Sequence, residues 1–176
     1  MKPSVRAFWR LFAGGMIALF LLILLANFGL FGKMPSLQEL ENPSILQASE
    51  VYAQDGTLMG KYYTERGNRS NVKYRDLSRY AIDALIATED ERFYNHSGID
   101  FKSTLRAVVT LGSEGGGSTI TQQLAKALLA QGSRNKAWRV VEKLKEWIIA
   151  VKLERNFTKE EIITLYLNVV PFGNNI

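Results

Sequence analysis

Residues 117–126 read GSTITQQLAK, and they join a glycine-rich loop to the start of a helix. The loop at 113–118, SEGGGS, holds too many glycines for a regular element. Thr119 followed by Gln122 matches the capping box that begins an α-helix. This junction therefore predicts a helical domain whose next helix opens directly out of a glycine-rich loop.

The same junction is a candidate anion site. Backbone N–H groups at a helix N-terminus attract phosphate oxygens, and Gln122, Gln123 and Lys126 follow on the helix. A nucleotide-binding P-loop is excluded, because Ser118 stands where that motif requires lysine. A plain loop without a ligand remains the alternative.

Helical spacing of apolar residues extends on both sides of this junction. Upstream, Ala81, Ile82, Leu85 and Ile86 recur at helix spacing and lead into Glu89. Further helices are predicted over 100–112, 119–131, 133–155 and 158–167. Residues 50–63 predict a β-hairpin that turns at Asp55-Gly56 and packs on another element. The fold class is therefore mainly α with one small hairpin.

An apolar run without charges occupies residues 11–32. About twenty such residues can cross a bilayer as a helix. Lys2, Arg6 and Arg10 precede the run, which favours a cytoplasmic N-terminus and an exported remainder. A cleaved signal peptide is the alternative, but its apolar region is usually only about 7–15 residues long. The predicted organisation is a cytoplasmic stub at 1–10, an anchor at 11–32, a connector with the hairpin at 33–71 and a helical domain at 72–176.

The charge and composition of the chain limit the classes of ligand that it can be expected to bind. The chain has a net charge of +5, one histidine and no cysteine, so disulfides and thiolate metal sites are excluded. A single histidine also argues against a histidine metal centre. For a basic exported domain, an anionic lipid head group or a pyrophosphate is a better partner than nucleic acid.

Glu89 is the first candidate for chemistry. Glu89, Arg92, Phe93 and His96 share one face if their helix continues. Desolvation beside aromatic rings makes a carboxylate a stronger base, as glycosyl transfer requires. The alternatives are a solvated helix end for Glu89 and a structural hydrogen bond for His96.

Glu146 is a second carboxylate, with Lys143 one helical turn before it. An exposed ion pair between the two is the ordinary interpretation. The functional one is that glycosyl transfer with inversion uses an acid and a base roughly 6.5–9.5 Å apart.

Four segments in this order resemble glycosyltransferase family 51, the transglycosylase module of class A penicillin-binding proteins. The first, TEDERFYNHSG at 88–98, resembles the motif E-D-x-x-F-x-x-H-x-G. The stretch at 117–126 is similar to the second motif, G-x-S-T-I-T-Q-Q-L-x-K. The third and fourth resemblances lie at 143–146, KLKE, and at 159–168.

The resemblance implies a lysozyme-like helical fold, preceded by one transmembrane helix. It implies a peptidoglycan glycosyltransferase that polymerises lipid II, a disaccharide-pentapeptide on undecaprenyl pyrophosphate. The growing β-1,4 glycan strand is the other substrate, the anomeric centre inverts, and undecaprenyl pyrophosphate leaves. The implied location is the bacterial plasma membrane, crossed once, with the catalytic domain on its outer side and other cell-wall synthesis proteins as partners.

The resemblance also implies roles for residues. Glu89 is carried over as the base that activates the 4-hydroxyl of the acceptor sugar, and Glu146 as the carboxylate near the donor pyrophosphate. Asp90, Phe93 and His96 are expected to support the first motif. The residues expected to line the groove and bind phosphate or sugar are Ser118, Thr119, Gln122, Gln123, Lys126 and Lys143. No cofactor is required, although magnesium assists some members by bridging pyrophosphate oxygens.

The chain departs from the family pattern in places. Glu142 holds the arginine position of the third motif, where Arg139 one turn earlier compensates in charge, and Ala127 replaces the usual asparagine. The sequence stops at 171–176, inside what resembles the fifth motif, so the module is expected to be incomplete. A catalytically inactive scaffold of the wall-synthesis machinery and a glycan-cleaving lytic transglycosylase are the competing hypotheses.

Overall fold

The structure is a computed structural model that describes residues 3–29, 32, 34–43, 49–62, 71–110, 113, 116–129 and 135–172. These ranges contain seven α-helices and one two-stranded antiparallel sheet. In chain order the elements are α1 (Pro3–Asn27), α2 (Leu37–Glu41), β1 (Ser49–Tyr52), β2 (Leu58–Tyr62), α3 (Arg79–Glu89), α4 (Phe101–Val109), α5 (Ile120–Leu129), α6 (Lys136–Asn156) and α7 (Lys159–Val169), with 3-10 turns at Tyr74–Asp76 and Phe93–Asn95. The mainly α fold with one hairpin is therefore confirmed.

The core forms where α5, α6 and α7 meet. Its large side chains are fully buried, and burying each one stabilises the fold by about 1.5–3 kcal/mol relative to exposure. The aliphatic members from these helices are Ile120, Leu124, Ile149, Leu153, Ile162 and Ile163. This packing fixes the N-terminus of α5 against the middle of α6.

Two capping boxes set helix starts as the sequence predicts. Thr158 and Glu161 exchange side-chain and backbone hydrogen bonds at the start of α7. At the start of α5, the Thr119 hydroxyl accepts from the Gln122 N–H at 3.1 Å, and the Gln122 side chain accepts from the Thr119 N–H at 3.4 Å. The predicted end of α5 near Gln131 and the start of α6 at Ser133 lie outside the described residues.

Helix α1 contains an apolar stretch, Ser4–Leu25, which by length and composition could cross a membrane. The helix begins before the predicted 11–32 run, because arginine is a good helix former and Arg6 and Arg10 do not interrupt it. It ends at Asn27, before the end of that run. Its C-terminal half contacts α6 around an apolar cleft.

Helix α2 lies in the segment that the sequence predicts as a plain connector. Ser36 and Glu39 form a complete capping box at its start. Leu40 is fully buried in the core, and the Lys152 ammonium on α6 donates to the Pro35 carbonyl at 3.1 Å. The connector is therefore held on the domain; the S-x-x-E pattern at 36–39 was the sequence signal for it.

The hairpin turns at Gly56, whose φ of 84° is readily adopted by glycine. The Asp55 carboxylate accepts from the Thr57 N–H at 2.9 Å and closes the turn. The expected packing on another element is wrong for the described residues, since both strands are largely exposed. The pairing register shifts between Val51 and Tyr52, so the regular alternation that would gather apolar side chains on one face is interrupted.

Candidate active site

A cleft of about 640 Å³ opens between the end of α3, helix α4 and the loop before α5. It receives carboxylates from the first motif and polar groups from the second. The predicted site residues that line it are Glu89, Asp90, Ser118, Thr119 and Gln123. Two segments about thirty residues apart in sequence therefore share one concave surface.

Helix α3 ends at Glu89, so the predicted continuation of one helix face through His96 is wrong. Asp90 has φ −159° and ψ 72°, which is not helical, and a 3-10 turn begins at Phe93. The Asp90 carboxylate explains the break. It lies 3.0 Å from His96 Nε2 and accepts from the Ile120 N–H at 3.0 Å. These contacts reach across the turn and to another helix, and they replace the helical continuation.

The Glu89 side chain is exposed in the cleft, whereas the sequence predicts burial beside aromatic rings. The break after Glu89 turns Phe93 into the core and leaves the carboxylate facing outward. The Gln123 side-chain N–H donates to Glu89 Oε2 at 2.8 Å. The Tyr166 hydroxyl donates to Gln123 Oε1 at 3.1 Å. Glu89 is thus connected to α5 and α7.

Phe93 and His96 lie inside the domain and do not line the cleft. Phe93 is fully buried, and the Lys159 ammonium lies 4.2 Å from its ring centroid. Lys159 also donates to the His96 carbonyl at 2.8 Å and to Glu154 at 2.8 Å. These contacts hold the turn that follows Glu89 and leave Phe93 and His96, which were also expected to bind substrate, outside the lining of the cleft.

Gln122 is also an internal residue, 1% exposed, and its side chain caps α5. Thr119 is 2% exposed and donates its hydroxyl to the Gly98 carbonyl at 2.6 Å. Gly98 has a φ of +90°, and a Cβ there would lie 2.9 Å from the Ala150 carbonyl oxygen. Glycine thus allows the first-motif loop to lie directly on α6.

Glu146, the second carboxylate, is joined to the cleft through Lys143. The Lys143 ammonium donates to Glu146 Oε2 at 2.8 Å and to Ser118 Oγ at 3.0 Å. Glu146 is 7% exposed, and the hydrogen bond to Lys143 satisfies part of its charge. Lys126, by contrast, is exposed on α5 and is not among the residues that line the cleft.

Sequence reasoning missed the cations on α4. Lys102 and Arg106 are four residues apart and both line the cleft. Asp100 caps this helix by accepting from the Lys102 N–H at 3.0 Å and forms a salt bridge with Arg92. Burial raises the pKa of Asp100, but hydrogen bonds from Arg92 and Ser103 outweigh it and hold the pKa well below its usual value. The i, i+4 pair of cations beside a glycine-rich loop was the available signal.

The arrangement can bind a polyanion and accept a proton beside it. Lys102 and Arg106 on α4 line the cleft, and the Lys143 ammonium contacts Ser118 of its lining. Glu89 is an exposed acceptor in the same cleft and is held by an amide donor. Among the described residues, no group of three or more His, Asp or Glu side chains could hold a metal ion.

Comparison with known proteins identifies the family of the chain. The sequence model of the transglycosylase family matches residues 55–176. The chain belongs to the transglycosylase family.

Its relatives include penicillin-binding proteins from several bacteria. The chain is 36% identical over 145 residues to penicillin-binding protein 1A of Pseudomonas aeruginosa, covering 80% of the chain and 17% of that protein. It is 38% identical over 165 residues to penicillin-binding protein 1A of Aquifex aeolicus, covering 92% and 22%. It is 36% identical over 178 residues to penicillin-binding protein 2a of Streptococcus pneumoniae, covering 98% and 23%. The chain thus spans about a fifth of the length of these relatives.

Proposed function

We propose that this protein is a peptidoglycan glycosyltransferase that polymerises lipid II into β-1,4-linked glycan. The observation that carries the proposal is the Glu89 carboxylate, exposed in a cleft that Lys102 and Arg106 also line, and held at 2.8 Å by the Gln123 amide. Membership of the transglycosylase family supports the same reaction.

In this mechanism Glu89 is the general base. Its carboxylate takes the proton from the 4-hydroxyl of the acceptor sugar as that oxygen attacks the anomeric carbon of the donor. The bond from that carbon to the pyrophosphate breaks, its electron pair leaves with undecaprenyl pyrophosphate, and the anomeric centre inverts. General base catalysis of this kind contributes about 100- to 10,000-fold to the rate.

The leaving pyrophosphate needs charge stabilisation rather than a proton. Lys102 and Arg106 line the cleft, and Lys143 reaches Ser118 at 3.0 Å, beside the N-terminus of α5. Cations and helix N-termini stabilise negative charge that develops on phosphate oxygens. Glu146, bound to Lys143, keeps that ammonium in place for the donor pyrophosphate.

Magnesium would depend on the substrate for most of its ligands. The cleft carboxylates Asp90 and Asp100 are already engaged by His96 and Arg92, and the described residues offer no metal cluster. Magnesium is commonly held by one or two carboxylates together with substrate phosphates. Any remaining ligands would come from the phosphate oxygens of the substrate and from water.

Helix α1 fits a substrate that is itself embedded in a membrane. We place it across the bacterial plasma membrane as a single anchor, with Lys2, Arg6 and Arg10 on the cytoplasmic side and the cleft on the outer side. Lipid II and the growing glycan strand are then the substrates, and other cell-wall synthesis proteins are the partners.

The test is polymerisation of fluorescent lipid II by the protein in detergent micelles. Wild-type protein should form glycan polymer, and Glu89→Gln should reduce the rate by about 100-fold or more. Asp83→Asn is the matched control, because Asp83 is an exposed carboxylate on the same helix outside the cleft. Absence of polymer would contradict the proposal and favour an inactive scaffold, whereas a fully active Glu89→Gln variant would contradict the role of Glu89 as general base.

The same assay addresses the lytic alternative. Finished glycan should remain intact when incubated with the protein, since the proposed donor requires a pyrophosphate leaving group. Shortening of glycan without any growth from lipid II would instead identify a glycan-cleaving enzyme.

A further inference from the structure

We propose that Tyr166 is a positioning residue, which acts through Gln123 to hold the Glu89 carboxylate in its reactive orientation. This inference rests on the proposed role of Glu89 as general base. Tyr166 lies in the segment at 159–168 that resembles the fourth motif, but sequence reasoning assigned it no role at the site.

The observation is a chain of two hydrogen bonds that joins three helices. The Tyr166 hydroxyl on α7 donates to Gln123 Oε1 on α5 at 3.1 Å. The Gln123 Nε2 then donates to Glu89 Oε2, at the end of α3, at 2.8 Å. Sequence separations of 43 and 34 residues show that tertiary packing, and no local turn, brings these groups together.

The two hydrogen bonds run in one direction, from the Tyr166 hydroxyl to the Gln123 amide and from that amide to the Glu89 carboxylate. A glutamine amide has one accepting end and one donating end. The Glu89 carboxylate can only accept, so the NH₂ group faces it, and the reversed amide would place an oxygen against the carboxylate oxygens. The Tyr166 hydroxyl donates to the amide oxygen on the other side and so holds the amide in the orientation that binds the Glu89 carboxylate.

Glu89 needs such a donor because of where it lies. It is the last residue of α3, and the C-terminal end of a helix carries partial negative charge that repels a carboxylate. Its side chain is also exposed and free to adopt several rotamers. Within the described part of the chain, the Gln123 amide is the one side chain that hydrogen-bonds the Glu89 carboxylate.

Tyr166 acts from behind the site. It is 2% exposed, does not line the cleft, and stacks edge-on against Phe172 with ring centroids 5.7 Å apart. Burial, and then the nearby Glu89 charge, raises the pKa of Tyr166 to about 12. The hydroxyl consequently stays protonated and remains a donor throughout the pH range of growth.

The primary test is Tyr166→Phe, which keeps the ring and removes the donor. In lipid II polymerisation we expect kcat to fall about 5- to 10-fold, the effect of losing one hydrogen bond of about 1 kcal/mol, with KM changed less than about twofold. Tyr62→Phe is the matched control, since Tyr62 is an exposed tyrosine of β2. An unchanged kcat for Tyr166→Phe would overturn the inference.

A double-mutant cycle separates positioning from a general loss of structure. Gln123→Met keeps a side chain of similar size without either hydrogen bond, so it should also lower kcat. Adding Tyr166→Phe to Gln123→Met should then have no further effect, because the connection is already broken. Independent, multiplicative losses would show that Tyr166 acts by another route. Thermal unfolding of each variant identifies any that fail to fold, and a Tyr166→Phe variant that does not fold would overturn the inference, because the hydroxyl would then act through stability.

Glu89→Gln in the same assay distinguishes the two proposals. If wild-type protein makes no polymer, the proposed function itself fails, and if Glu89→Gln remains active, the role of Glu89 as general base fails. If Glu89→Gln is inactive while Tyr166→Phe and Gln123→Met keep the wild-type kcat, only the positioning inference fails.

Discussion

The carboxylate of Asp90 accepts a hydrogen bond from the backbone N–H of Ile120 at 3.0 Å, across thirty positions of sequence. Ile120 is the first residue of α5, so Asp90 supplies an acceptor to a helix N-terminus from a different segment. The same carboxylate lies 3.0 Å from His96 Nε2. One buried side chain therefore ties the residue after Glu89 to the helix that carries Gln123.

Asp90→Ala should destabilise the domain. The change leaves the Ile120 N–H and the His96 ring nitrogen without their acceptor in a buried place, which costs about 1–3 kcal/mol for each unsatisfied group. The free energy of unfolding from urea titration in detergent micelles measures it. Asp83→Ala removes an exposed carboxylate from α3 and should change that free energy by less than about 0.5 kcal/mol. Equal losses in the two variants would disprove the structural role of Asp90.

Gly98→Ala should also reduce stability. The residue has a φ of +90°, and the new methyl group would lie 2.9 Å from the Ala150 carbonyl oxygen. Backbone strain of this kind costs on the order of 1–3 kcal/mol. The melting temperature is the measurement, and Gly60→Ala is the control, because nothing lies within 4 Å of a Cβ at Gly60. A melting temperature equal to that of wild type would mean that the loop at Gly98 moves away from α6 freely.

Lys143→Met should weaken substrate binding. The variant loses the ammonium that contacts Ser118 and Glu146, and it leaves the 7%-exposed Glu146 carboxylate without that cation. A charged hydrogen bond of about 1.5–3 kcal/mol corresponds to a rise of roughly 10- to 100-fold in KM for lipid II. Steady-state polymerisation kinetics measure KM, with Lys73→Met as an exposed-lysine control outside the cleft. A KM within twofold of wild type would remove Lys143 from the binding site.

Asp100 should make stability depend on pH on the acid side. Hydrogen bonds from Arg92 and Ser103 hold the pKa of Asp100 well below its ordinary value, despite burial, so the folded protein favours the charged form. Stabilisation from this group is complete above about pH 4 and is lost as the pH falls further. Asp100→Asn should therefore be less stable than wild type at pH 7, and the difference should shrink by pH 3. Urea unfolding at both values measures it; a difference that is constant with pH would contradict the salt-bridge explanation.

Local signals predicted most of the helices. Each capping box, at Thr119 and at Thr158, spans only four residues, and its two partners belong to the same helical turn. Apolar spacing likewise located α3 and α6, because one helix face must be buried. The end of α3 could not be predicted in this way, since Asp90 leaves the helical conformation to reach Ile120 on another element.

The sequence predicted several residues of the candidate site, but it did not predict which of them form hydrogen bonds with one another. Motif spacing selected Glu89, Gln123 and Lys143, but no local rule specifies that Gln123 binds Glu89 or that Lys143 binds Ser118. Those contacts depend on how α3, α5 and α6 pack. Helix propensity also gave no reason to single out Tyr166, which is buried like any core aromatic residue apart from its hydroxyl.

Helix α6 contacts the candidate site at one position along its length and the connector at another. Lys143 contacts Ser118, while Lys152 holds the Pro35 carbonyl just beyond α1. The nine positions between the two lysines correspond to about 14 Å of helix. Where α1 crosses a bilayer, this separation along one helix limits how far Ser118 of the cleft can lie from the segment that leaves the membrane.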